Sequence, residues 1–145
     1  MYWWESLLGR PWERVPNPPQ SFTCGELVRY LMKEHLGIEM LPVYADAGVL
    51  RECVDNLNQP EMYGLEPVAA DDKIQPFDIA FLARCKRFDH VGLAVPGPLG
   101  VMVMHCQQGI GVVCDTTAEL NGAGFRRLEW FRHKDANERT KQCRV

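Results

Sequence analysis

The apolar positions change their spacing part-way along the chain, and that change separates the expected elements. In TCGELVRYLMKEHLG, Leu27, Val28, Leu31 and Met32 recur at three- and four-residue intervals and so form one apolar face of a helix. Thr23 followed by Glu26 is the capping-box pattern. It predicts Thr23 as N-cap and Cys24 as the first helical residue, with Gly37 as the stop. A second helix is expected over 47–58, where Val49, Leu50, Cys53, Val54 and Leu57 repeat at helical intervals before Pro60. From about residue 65 the texture is that of strands. FDIAFLA (77–83), HVGLAV (90–95), VMVMHCQ (101–107), VVCDTT (112–117) and FRRLEWF (125–131) are short and β-prone, separated by Gly- and Pro-containing connections. Helices first and strands afterwards predict an α+β domain, its N-terminal helices packed on an antiparallel sheet.

Residues 1–22 fit neither pattern. Trp3, Trp4 and Trp12 are followed by prolines at 16, 18 and 19, which disfavour helix and predict an extended aromatic arm. Residues 134–145 read as a polar tail, leaving 23–133 as the domain. A chain of 145 residues has room for one good core. Its 46% hydrophobic and 24% charged residues are ordinary for a globular protein. A formal charge of −3 and a pI near 5.8 give no electrostatic footprint for nucleic acid. No apolar run approaches the roughly 18 residues of a membrane span. The N-terminus places Glu5 where a secretory leader needs a basic then apolar stretch, so synthesis without a signal peptide is expected. Six cysteines (24, 53, 85, 106, 114 and 143) without such a leader do not read as a disulfide framework. Cys53, Cys85 and Cys114 lie on apolar patterns and are expected as protected, small hydrophobes.

Cys24 stands apart because of its place. In the first turn of a helix a thiol meets unpaired N–H groups and the positive end of the macrodipole, which favour a thiolate and can hold a developing oxyanion. Such a nucleophile needs a base. His35 lies about 11 residues, ~16 Å, up the same helix and cannot serve; it suits the C-terminal end of the dipole. His133 ends the last strand beside the tail and is expected to be solvated. His90 and His105 lie on strands joined by PGPLG, which reads as a hairpin with its turn at Gly97–Pro98. Pairing Pro96 with Leu99 and Val95 with Gly100 carries His90 opposite His105, on one face of the sheet. One imidazole can then take a proton while the other fixes its ring.

A Cys at a helix start, a strand opening on His-Val-Gly and a polar residue on the next strand together resemble the NlpC-type cell-wall peptidases, which are papain-like. The resemblance runs over about residues 7–133, through LLGRPW, SFTCGELVRYLMKEHLGIEM, QPFDIAFLAR, FDHVGLAV, MVMHC and GVVCD. It implies a papain-like fold with Cys24 as nucleophile, His90 as base and His105 as the orienting residue, and substrate contacts from Trp12, Gly25 and Asp89. It implies no metal or organic cofactor. Three positions depart from the pattern: Thr23 where the family usually has Asp, Gly25 and Glu26 after the nucleophile, and Trp12 where a tyrosine often stands. The short lead-in and the long Cys-to-His connection are similar to the tail-assembly branch in phages and prophages. The implied activity is hydrolysis of an amide in the peptidoglycan stem peptide. The implied location is a virion tail, with other tail or baseplate proteins as partners. Two other readings stand beside it. One is a structural tail component with an occluded or vestigial site. The other is a metal module using Cys85, Cys106 and Cys114 with a histidine, although their spacing is irregular.

Overall fold

The first long helix, α1, spans Cys24–Leu36, with Thr23 as N-cap and Gly37 closing it at φ 66. Its buried side chains, Leu27, Val28, Leu31, Met32 and Leu36, are those of the expected apolar face. The computed structural model describes residues 1–41 and 60–136. The helix expected over 47–58, and Cys53 and Cys143 with it, lie outside the described residues.

The remaining elements form a six-stranded antiparallel sheet ordered β1-β6-β2-β3-β4-β5. The strands are β1 (Leu65–Pro67), β2 (Ile79–Ala83), β3 (His90–Gly97), β4 (Gly100–Gln107), β5 (Gly111–Asp115) and β6 (Arg127–His133). The α+β arrangement with an antiparallel sheet is as expected. Two elements differ from the sequence reading. The third residue of VVCDTT ends β5's apolar run, and a short helix α2 (Thr117–Gly122) follows, opened by a full capping box between Thr116 and Glu119. β1 is too short to show a period of its own, yet it pairs Leu65 with His133. That pairing takes β6 off the edge and buries His133 at 6% exposure, where solvation was expected.

Strand alternation sorts the core into two layers. Ile79, Phe81 and Ala83 on β2, Val91, Leu93 and Val95 on β3, and Met104 and Cys106 on β4 share one cluster with the α1 side chains. Ala80, Leu82 and Val103 point the other way and pack with Leu120 of α2 and Phe125. Residues 1–22 are woven into the first layer rather than standing off as an arm. Trp4, Leu7 and Phe22 are buried there, and Glu5–Leu7 form a short 3₁₀ turn ahead of the prolines. Gly9 N–H donates to the Val112 carbonyl at 2.9 Å, and Val112 N–H donates to Arg10 at 2.9 Å, so this segment covers the free edge of β5.

Candidate active site

Cys24 owes its place to Thr23. The Thr23 hydroxyl accepts from Glu26 N–H at 3.2 Å, which starts the helix at Cys24. The reciprocal half of the expected box is absent, because the Glu26 carboxylate turns to Arg29 at 3.4 Å. Cys24 is 9% exposed and belongs to the α1-side cluster with Val91, Met104 and Cys106. The Cys106 thiol donates to the Phe22 carbonyl at 3.4 Å, two residues before Cys24. Burial first, and then the nearby Cys24, push the Cys106 thiol up to about 12, so it stays neutral. It is a poor nucleophile.

The two imidazoles meet. His90 Nε2 lies 2.8 Å from His105 Nδ1 in a buried hydrogen bond. The register that brings them together differs from the expected one. Gly97 pairs with Gly100 and Leu93 with Met104, so Pro98 and Leu99 form the turn and the strands are displaced by two residues. A displacement of one would have thrown the rings onto opposite faces, whereas two preserves the face. His90 therefore meets His105 diagonally. Gly92 makes room for this: a Cβ there would lie 3.2 Å from His105 Cβ and 2.6 Å from Val103.

Beyond His105 the chain of contacts continues. His105 Nε2 lies 2.8 Å from Asp115 Oδ2 on β5. Phe125 stacks on the His90 ring at 5.2 Å and 15°, and the Arg84 guanidinium lies 4.0 Å over the Phe125 ring. Burial holds His90 well below the ordinary imidazole range, helped by His105 and the Arg84 charge. His105 is also lowered, since burial outweighs the upward pull of Asp115. Both rings are therefore neutral near pH 7.

His90 pairs with Leu82, and with His105 it points to the α2 side of the sheet, while Cys24 sits on the α1 side beside Cys106. The fold thus joins His90 to His105 directly, while Cys24 lies in the cluster on the other face of the sheet, near Cys106.

Among the implied substrate contacts, Trp12 is half-buried and bridges to Phe22, two residues ahead of Cys24. Gly25 is buried in the first turn of α1. Asp89, directly before His90, is half-buried, and its Oδ1 is buried without a hydrogen-bond partner. Burial raises its carboxyl, against the opposing pull of Arg84. His35 is in the last turn of α1 as expected, but packs against Trp3 and Phe77 and is lowered by burial, so it is no cationic helix-end partner. Cys85 is exposed in the connection after β2, where protection was expected, because β2 ends at Ala83. Among the described residues no three His, Cys, Asp or Glu side chains are grouped to hold a metal ion. Nor is any helix there long and apolar enough to cross a membrane.

Asp115, Phe125 and Arg84 were missed in the sequence. Asp115 did leave a signal. β4 and β5 pair His105 with Val113, and a period of two then puts Asp115 on the same face. Phe125, expected to open the last strand, lies ahead of β6, which starts at Arg127, and Arg84 lies in the connection after β2, so no strand period places either ring or guanidinium.

No family model and no curated protein matches the chain. The functional reading therefore rests on the residues and their placement.

Proposed function

We propose that this protein is a papain-like cysteine hydrolase that cleaves an amide in the peptidoglycan stem peptide, carried by a phage or prophage tail. The observation that carries the reading is the buried bond between His90 and His105, a base held by a second ring, in a domain that also opens a helix on a thiol. The resemblance to NlpC-type peptidases supplies the substrate and the setting.

In the reaction, His90 Nδ1, the ring nitrogen outside the bond to His105, takes the proton of the Cys24 thiol as sulfur attacks the scissile carbonyl. In this reading the backbone N–H of Cys24, at the positive end of the α1 dipole, helps to receive the oxyanion. Collapse breaks the C–N bond, and the proton on His90 goes to the leaving amine. Water, deprotonated by His90, then hydrolyses the thioester, releasing the acid and restoring the thiol. A neutral resting His90 favours proton transfer during attack over an ion pair formed beforehand.

One observation favours the alternative of a tail component with an occluded site: Cys24 is 9% exposed and lies on the α1 side, whereas the histidines face α2. Digesting purified sacculi and identifying new termini by mass spectrometry separates the two. New stem-peptide termini that vanish in Cys24→Ala support the hydrolase. Intact sacculi at high protein concentration support the occluded component.

A further inference from the structure

We infer that Asp115 is a positioning residue that sets the proton positions on both imidazoles, leaving His90 Nδ1 as the nitrogen of the two rings with a bare lone pair outside their hydrogen bonds. This deepens the hydrolase reading and rests on it for its catalytic consequence, but not for its structural content.

The inference follows from donor and acceptor counting. Ionised, a carboxylate only accepts, so at 2.8 Å from Asp115 Oδ2 the proton belongs to His105 Nε2. A neutral imidazole carries one N–H, and His105 is neutral by burial, so its Nδ1 is a bare acceptor. Across the 2.8 Å contact, His90 Nε2 must then be the donor. His90 is also neutral, and its Nδ1 is left with a lone pair. One carboxylate on β5 thus dictates a proton position two residues of hydrogen bonding away. Arg84 is the other charge facing the pair, and it adds to keeping both rings neutral. Asp115 can hold this role with little desolvation, since its side chain keeps 28% of its exposure while His105 beside it keeps 1%.

Without Asp115, no other hydrogen bond among the described residues holds the proton on His105 Nε2. The ring can then carry its proton on Nδ1 and face His90 Nε2 as a donor. That moves the His90 proton to Nδ1, and the base is lost.

Long-range ¹H–¹⁵N spectra of the folded full chain report the tautomer of each histidine whether or not the protein is active. The wild type should show the Nε2–H form for both His90 and His105. Asp115→Ala should shift His90 toward a mixture or the Nδ1–H form, and Asp115→Glu should restore the wild-type pattern. If Asp115→Ala does not fold, Asp115→Leu provides the same reading, since it removes the acceptor while keeping much of the volume. On stem-peptide fragments, Asp115→Leu should lower kcat on the order of 10²-fold or more with KM little changed. An unchanged His90 tautomer in Asp115→Ala or Asp115→Leu overturns the inference. A wild type showing the Nε2–H tautomers yet no hydrolysis leaves the proton chain standing and overturns the hydrolase reading instead.

Discussion

Two polar networks are buried in this sheet, and they are finished differently. In the first, Arg132 on β6 grips Asp78 with both arms of its fork, at 2.7 and 2.9 Å, and donates to Asp72 at 2.8 Å and to the Lys73 carbonyl at 3.1 Å. Gln75 N–H closes the remaining side of Asp78 at 2.9 Å. Charge is met by charge, and Asp78 raises the Arg132 pKa further above its ordinary range. In the second, His90, His105 and Asp115 form an uncharged pair of rings ending on a half-exposed carboxylate, with His90 Nδ1 outside the chain. A network in which a buried carboxylate is met on both oxygens by one guanidinium can only hold the 72–78 segment to the sheet. A network left open at one nitrogen has somewhere to put a proton, which is a requirement of catalysis and a needless cost in a purely structural device.

The comparison is broken most severely at its open end. Cys24→Ala and His90→Ala should each lower hydrolysis of peptidoglycan fragments by about 10³-fold or more, and Cys24→Ala should do so with thermal unfolding close to wild type, because it removes a single sulfur. His105→Ala should retain more activity, since it orients a ring without carrying the proton. Steady-state rates and melting curves measured together check this. Full activity in Cys24→Ala would move the nucleophile elsewhere.

The closed network should fail in stability instead. Removing the carboxylate in Asp78→Ala leaves Arg132 with the more exposed Asp72 as its remaining counter-charge, at a cost of up to about 3–5 kcal/mol in urea unfolding. Replacing both partners, as in Asp78→Leu with Arg132→Met, should recover much of that loss, since the desolvation goes with the charges. A double variant as unstable as the single one would show that the segment needs the ions themselves.

A smaller effect is expected from pH. His90 and His105 are held below the ordinary imidazole value of 6.5, so below that pH the unfolded chain binds protons that the folded chain refuses. Stability should be fully present above about 6.5 and fall as pH drops through it, toward the lowered folded values. His35 and His133 are displaced the same way by burial and contribute to the trend. Urea midpoints between pH 5 and 7.5 should flatten in His90→Gln relative to wild type. An equal slope in both would assign the trend to the other histidines.

The finest distinction lies among the thiols. Under a brief iodoacetamide pulse, Cys106 and Cys114, both pushed up to about 12 chiefly by burial, should stay unmodified until unfolding. Exposed Cys85 should react as an ordinary thiol, faster as pH rises. Cys24 should react ahead of Cys106 and Cys114, because the start of α1 favours its thiolate, and faster as pH rises. Peptide mapping across a pH series reads all four. A Cys24 as inert as Cys106 would favour the occluded component.

By itself the sequence determined what depends on neighbours a few residues apart. The N-cap Thr23, the apolar stripe of α1, its Gly37 stop and the strand character of β2 to β6 all follow from local spacing and local hydrogen-bonding chemistry. That His90 and His105 share a face also follows, because an even displacement of register leaves parity untouched. What only the tertiary structure decided depends on which strand lies beside which. The turn at Pro98–Leu99 set the diagonal meeting of the rings, with Gly92 vacating the space they need. The pairing of β5 with β4 brought Asp115 to His105, and short β1 buried His133. Cys24 was placed at its helix end by sequence alone. Its burial on the α1 side, with the histidines facing α2, was settled by the packing of a helix on one face of a sheet, which no spacing along the chain encodes.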